Sequence, residues 1–211
     1  MDSEIKGKVS IVDDDIGVRD ALKILLELEG YEAQAFGSAA EFLSSNHGAT
    51  SGCALIDVRM PEIDGLRLLE HLSRRAEAPA VVMLTGFADV STAVRAMREG
   101  AVDFVEKPFN DDRLLQAIDH ALDTHQRTRD QRALAEESRA RVAELSAREL
   151  EVMTSLVSGA SNKEAARDLG ISPRTVEIHR SRIMEKTRST SFAELVRIGL
   201  AVGISGTEHA R

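Results

Sequence analysis

Residues 8–15 read KVSIVDDD, a short β-rich run that ends abruptly in three carboxylates. The same grammar recurs along the first half of the chain. CALID at 53–57, AVVMLT at 80–85 and DFVE at 103–106 are further β-rich runs, and AQAF at 33–36 is a weaker one. Three of the five are nearly continuous apolar stretches, which is the pattern of strands buried on both faces. Helical stretches are predicted between them, near 16–29, 38–46, 64–75 and 89–99. Ser38-Ala-Ala-Glu41 has the capping-box spacing, and Gly30 and Gly100 stand where helices should stop. A fifth helix should start near Asp111, with Leu114, Leu115, Ile118, Ala121 and Leu122 on one face. Five alternations of strand and helix predict an α/β fold: a parallel sheet covered by helices.

The full chain has 211 residues, enough for one large domain or two small ones. Its net charge of −8 argues against a basic nucleic-acid coat. The charge is uneven, however. Residues 1–122 carry 12 basic and 22 acidic side chains, residues 123–144 carry five of each, and residues 145–211 carry 10 basic and eight acidic. Such asymmetry predicts modules with different partners. We therefore divide the chain into 1–122, a charged helical linker 123–144 without Pro or Gly, and 145–211. One cysteine excludes a disulfide framework and a cysteine-based zinc finger. Cys53, beside Ala54 and Leu55, reads as a packed core thiol. No apolar run is long enough for a transmembrane helix, and MDSEIKGK at the start has no signal-peptide core. A cytoplasmic protein with no membrane partner is the expectation. An aromatic content of 3% with no Trp disfavours stacking on single-stranded bases.

Ligands of open α/β sheets bind beyond the carboxyl ends of strands. Those ends carry Asp13, Asp14 and Asp15 after the first run, Asp57 on the third, Thr85 on the fourth, and Lys107-Pro108 after the fifth. Aspartates at strand ends are also ordinary turn chemistry. Here, though, four ends each bring a polar group suited to one task. Clustered carboxylates repel unless a cation joins them, and Mg²⁺ suits such hard oxygens. A Mg²⁺ held by Asp14 and Asp57 would stabilise charge on a phosphoryl group moving onto one of them, with Lys107 and Thr85 holding its oxygens.

The last 67 residues read as four helices, near 147–158, 162–169, 173–187 and 192–202. Ser146-Ala-Arg-Glu149, Ser161-Asn-Lys-Glu164 and Ser191-Phe-Ala-Glu194 have capping-box spacing, and Ser172-Pro173 is an N-cap followed by Pro at the first helical position. Residues 161–187 form a helix, a turn through Gly170 and a second helix, which is helix-turn-helix grammar. On a wheel, Val176, His179 and Ile183 of the second helix gather on one side, and Arg174, Glu177, Ile178, Ser181, Arg182 and Glu185 gather opposite. His179 is thereby a core or capping residue. Residues 173–188 hold five basic and two acidic side chains. An amphipathic helix with a solvated face would share this pattern. As a groove reader, its Arg side chains could reach guanine or phosphate, Glu177 could accept from cytosine, and Ile178 could meet a thymine methyl. Thr175 lies in the same stretch, and Lys163, Arg180, Lys186 and Arg188 would contact phosphates.

IVDDD at 11–15, IDVRMPEIDG at 56–65, LTG at 84–86 and DFVEKPF at 103–109 resemble the receiver domain of two-component response regulators. The likeness covers about residues 6–125 and implies a flavodoxin-like (βα)₅ fold with strand order 2-1-3-4-5. It implies that Asp57 is the phospho-acceptor for a sensor histidine kinase. Asp13 and Asp14 would be the acidic pair, with Asp14, Asp57 and the Arg59 carbonyl ligating Mg²⁺. Thr85 and Lys107 match the signalling hydroxyl and lysine. Phe104 matches the switch aromatic, although a plain core aromatic fits the same position. The Lys107–Pro108 bond would be cis. Phe87-Ala88 departs from the usual polar or glycine-rich pair. The stretch from LSAREL to MEKT resembles a LuxR-type four-helix domain, and the pairing of the two modules is similar to the NarL/FixJ class, nearest its FixJ branch. The last helix, about 192–202, often mediates dimerisation there; Leu195, Val196, Ile198, Leu200 and Val202 are apolar enough for it, though several must also serve the core.

The resemblance implies a phosphorylation-controlled transcription factor that is not an enzyme. On phosphorylation it would form a homodimer, through the fourth helix, fifth strand and fifth helix, and bind double-stranded promoter DNA. RNA polymerase is a further candidate partner. The alternative is a protein-interaction switch whose helical tail binds a protein rather than DNA. A metal-dependent phosphatase lacks a second base in the motif set.

Overall fold

The computed structural model describes residues 5–45, 51–86 and 90–204. The chain divides into two compact units, Met1–Thr128 and Arg129–Arg211. The linker expected at 123–144 falls on both sides of that division.

The first unit is a five-stranded parallel sheet in the order β2-β1-β3-β4-β5. Its strands are β1 (Lys8–Val12), β2 (Glu32–Phe36), β3 (Cys53–Asp57), β4 (Ala80–Thr85) and β5 (Asp103–Glu106). Only β2 departs from its sequence bounds, starting one residue earlier. Helices α1 (Ile16–Leu28), α2 (Ala39–Ser44), α3 (Gly65–Ser73) and α4 (Val90–Arg98) alternate with the strands, and α5 (Asp111–Ala143) follows β5.

Strand side chains alternate between two cores. Val12, Ala54, Ile56, Val81 and Met83 face one side, with Phe42 of α2, Leu68, Leu69 and Leu72 of α3, and Ala96 of α4. Val9, Ile11, Leu55, Val82, Leu84 and Val105 face the other, with Leu22 and Leu26 of α1 and Leu114, Ala117, Ile118 and Ala121 of α5. Strand β3 is buried along its whole length, which explains its unbroken apolar run. Cys53 is fully buried within it. Past Asp123 the sequence of α5 turns charged, yet nothing in it breaks a helix, and α5 continues to Ala143.

The second unit holds α6 (Ala147–Val157), α7 (Asn162–Leu169), α8 (Pro173–Lys186) and α9 (Phe192–Ala201). Val152, Met153, Leu156, Ala165, Ala166, Val176, Ile183, Leu195 and Ile198 form its core, and Val142 and Leu145 pack against it. Gly170 ends α7 at φ 65, a left-handed conformation that costs glycine little, and Ser172 then caps α8. Among the described residues no helix is long and apolar enough to cross a membrane.

Two of the four expected capping boxes are complete, at Ser146/Glu149 and Ser161/Glu164. The other two are half formed. Glu41 accepts from the Gly37 N–H, and Glu194 from the Thr190 N–H, each one residue before its cap. The difference lies in φ: −68° and −69° at Ser146 and Ser161, but −158° and −147° at Ser38 and Ser191. The more extended cap turns its own N–H away from the carboxylate, which bonds the preceding amide instead.

Candidate functional site

The sheet register assembles the first site. Val12 pairs with Ile56, so Asp13 leaves β1 beside Asp57. Asp57 pairs with Leu84 and Thr85 with Glu106, which brings Thr85 and Lys107 to the same edge. Lys107 Nζ donates to Asp13 Oδ2 at 2.5 Å and to Asp57 Oδ1 at 2.7 Å. The second oxygen of each carboxylate accepts a backbone N–H, from Asp15 at 3.0 Å and from Arg59 at 2.7 Å. The Lys107 N–H donates to the Thr85 carbonyl at 2.6 Å, and the Lys107–Pro108 bond is cis. Asp13, Asp57 and Thr85 are buried at 1%, 7% and 4% exposure. Asp14, by contrast, is exposed. Gly65 starts α3 against this site: a Cβ there would overlap the Asp57 carbonyl oxygen.

Burial raises the pKa of the Asp57 carboxyl above the ordinary aspartate value, and Lys107 with the Arg59 N–H partly offsets this. Burial also works against the Lys107 charge, but its two carboxylate partners outweigh that and hold its pKa above the ordinary lysine value.

Among the described residues no group of three or more His, Cys, Asp or Glu side chains lies close enough to hold a metal. The sequence expected Asp13, Asp14 and Asp57 together. Lys107 instead lies between Asp13 and Asp57, and Asp14 points outward to solvent. The donor set still suits a hard divalent cation. Three carboxylates against one ammonium leave two negative charges, and each carboxylate oxygen that holds one N–H has a second lone pair.

The second site is α8. Arg174, Glu177, Ile178, Ser181 and Arg182 are exposed, whereas Val176 and Ile183 are buried. Arg174 and Arg182 have no ion pair among the described residues. Thr175 shares a hydroxyl hydrogen bond with Ser172 at 2.8 Å, and Lys163 on α7 is exposed. Two residues expected on phosphates make internal contacts: Arg180 stacks over the Phe192 ring at 4.8 Å, and Lys186 donates to Glu149 at 2.7 Å. His179 is partly buried, with Nδ1 unpartnered among the described residues.

The chain matches the response regulator receiver domain over residues 9–119 and the luxR family of bacterial regulatory proteins over residues 143–198. The chain is a response regulator. It is 42% identical to the transcriptional regulatory protein FixJ of Bradyrhizobium diazoefficiens, over 94% of this chain and 97% of that protein. It is 37% identical to the transcriptional regulatory protein TdiR of Thauera aromatica, over 89% of this chain and 83% of that protein. Among solved structures, the response regulator StyR is similar at TM-score 0.73 and 36% identity, covering 90% of this chain and 96% of that one. Full-length FixJ from B. japonicum is similar at TM-score 0.58 and 41% identity, covering 95% and 99%.

The response regulator therefore joins a receiver to a LuxR-type DNA-binding output. It belongs to a family of phospho-acceptor transcription factors rather than catalysts. This displaces the reading of the tail as a protein-only binder. The family implies a cognate histidine kinase and DNA as partners, and receivers generally use Mg²⁺ for phosphoryl transfer.

The structure brings Asp13, Asp57 and Lys107 together, with Thr85 beside them. Phe104 is partly buried against the α2–α3–α4 core, a position that serves either of its two readings. Phe87-Ala88 lies outside the described residues. Asp15, the third carboxylate of the run, caps α1 through the N–H groups of Gly17 and Val18. Sequence reasoning missed Arg19, which donates from Nη1 to the Asp13 carbonyl at 2.6 Å and pins the acidic loop to α1. Nothing in the local pattern singles it out. Of the apolar positions on the last helix, Leu195 and Ile198 are core and Leu200 is exposed.

Proposed function

We propose that Asp57 accepts a phosphoryl group from a histidine of the sensor kinase. The N–P bond to the histidine breaks as an O–P bond to an Asp57 carboxylate oxygen forms. The observation that carries this reading is the Lys107 ammonium bound to both buried carboxylates. Lys107 neutralises the resting Asp57 and lies within reach of the charge that arrives with phosphate. Asp13, Asp14, Asp57 and the Arg59 carbonyl would hold Mg²⁺, which supplies electrostatic stabilisation of the transferring group. Thr85 would take a phosphoryl oxygen through its hydroxyl, and Phe104 would follow its movement.

The response is carried by α4, β5 and α5. Val90, Val94 and Met97 leave an apolar stripe exposed along α4, which supports pairing of two receivers through this face. Pairing raises the effective concentration of the second output domain for promoter DNA in the cytoplasm. There Arg174, Thr175, Glu177, Ile178, Ser181 and Arg182 face the major groove, with Lys163 toward phosphates, Arg180 joining once its contact with Phe192 is exchanged, and Lys186 using a second ammonium donor while it stays bonded to Glu149.

The test is phosphoryl uptake from acetyl phosphate with Mg²⁺ present. Wild type should acquire an acid-stable mass increment of one phosphoryl group, or an equivalent shift on a phosphate-retarding gel, and shift toward dimer in a sizing measurement. Asp57→Asn should do neither. Uptake by that variant at the wild-type level would sink the assignment.

A further inference from the structure

The C-terminal end of α8 is held more elaborately than a helix end requires. Val176 and Ile183 are its fully buried apolar residues, seven positions apart and so nearly on one line. Met184 beside them packs against the core only in part, so these anchors fix the helix's depth and tilt more firmly than its roll. Roll is the motion that would sweep Arg174 and Arg182 out of register with base edges, because a helix about 20 Å long presents its readers at fixed angles around one axis.

Two polar arms grip the C-terminal end of α8, one through Lys186, about 60–80° around the helix from that line, and one at its cap. Glu149, buried at the start of α6, accepts from Lys186 Nζ at 2.7 Å and from the Ser146 N–H at 2.8 Å through the same oxygen. Arg141, in the last turn of α5, donates from Nη1 to the Thr187 carbonyl at 3.3 Å. That carbonyl belongs to the cap of α8, one of the groups a helix end leaves without an internal partner. Arg141 is itself held by Glu137 at 2.6 Å and lies 3.8 Å from Glu194 of α9. Thr187 is fully buried, its hydroxyl bonded to the Ile183 carbonyl and to Ser189, and Arg188 beyond it takes φ 54. A non-glycine residue in that region is held there by its surroundings.

We propose that Arg141 and Glu149 are positioning residues for sequence-specific DNA binding. They fix the roll of α8 without touching DNA, so the final turn of α5 belongs to the DNA reader. The inference rests on the reading that α8 enters the groove. It concerns specificity, because roll affects base contacts more than the diffuse attraction of phosphates.

The test uses the full chain and two DNA duplexes. One is selected by the wild-type protein from a random-sequence pool, and the other is its scrambled counterpart. Arg141→Gln and Glu149→Gln change the charge in opposite directions. A purely electrostatic role would therefore shift affinity for the scrambled duplex oppositely in the two variants. A positioning role lowers the ratio of selected to scrambled affinity in both, by about tenfold, comparable to losing one base contact. A ratio unchanged in either variant, or moved in opposite directions, overturns the proposal. If thermal unfolding shows that a Gln variant is not folded at the assay temperature, Arg141→Lys and Glu149→Asp replace them. These keep the charge but change the reach, and the same fall in ratio is expected. Arg174→Ala and Arg182→Ala separate the two layers of argument. If neither alters binding, the groove reading fails and the inference falls with it. If both weaken binding while the Arg141 and Glu149 variants keep the wild-type ratio, only the positioning claim falls.

Discussion

The acidic edge of the sheet and the exposed face of α8 both present charge, but they are built in opposite ways. Asp13, Asp57, Thr85 and Lys107 come from four separate strand ends and meet only because parallel register aligns them. Asp13, Asp57 and Thr85 are buried, Lys107 is partly so, and they are bonded to one another, so each member sets the environment of the next. The readers of α8 come from one short segment and stand in solvent. They depend on two buried apolar residues and a pair of polar arms elsewhere. The first site should therefore fail as a unit when one group is lost. The second should fail gradually, residue by residue.

Lys107→Met tests this contrast at its largest. In metal-free buffer it leaves two buried carboxylates without their counter-ion, and a loss of about 3–5 kcal/mol in receiver stability is expected. Urea unfolding followed by the fluorescence of Tyr31, the one tyrosine, reads it. Added Mg²⁺ should restore part of the loss; no recovery would argue against a cation among these carboxylates. Ile183→Ala comes next. It removes half of the apolar seam under α8 and should cost about 2–4 kcal/mol in the second unit, read by far-UV circular dichroism, with the Tyr31 transition unmoved.

A smaller effect is expected from Arg182→Ala, which should weaken binding to a selected duplex by about 1–3 kcal/mol while the fold stays intact. The second unit should also respond to pH. The bond from Lys186, helped by the Ser146 N–H, holds the Glu149 carboxyl down at about 2, from an ordinary value of 4.5. A depressed folded-state pKa contributes stability that is fully present above about 4.5 and is lost as pH falls through about 2. Urea midpoints of the second unit should therefore drop across that window in wild type, and drop less in Glu149→Gln. Asp123→Asn gives the lower bound. It breaks an exposed pair with Arg127 and should change stability by less than about 0.5 kcal/mol.

Much of this was legible in the sequence, for identifiable reasons. Buried parallel strands write themselves as apolar runs, and the residue after each run must stand at the carboxyl edge, so Asp13, Asp57, Thr85 and Lys107 could be grouped before any coordinates. Gly170 and Ser172-Pro173 likewise placed the turn before α8, because local backbone chemistry leaves few alternatives. What stayed hidden depends on where side chains reach. That Lys107 would join Asp13 to Asp57 while Asp14 turned outward, that Lys186 would choose Glu149 rather than solvent, and that Arg141 would meet Thr187 are long-range pairings with no periodic trace. The half-formed capping boxes show the same limit at short range. Their spacing was right, but spacing does not specify the φ of the cap.

The burial of Cys53 has a practical consequence. It is the only thiol in the chain, it lies at 0% exposure in the central part of the sheet, and burial pushes its pKa up. A thiol reagent should reach it only when β3 is uncovered, since burial covers the sulfur and disfavours the reactive thiolate. The rate of alkylation is therefore a clock for transient opening of the receiver and is blind to fraying of the helical output domain. Run with and without a phosphoryl donor, it would measure how far occupation of the carboxylate edge tightens the sheet beneath it.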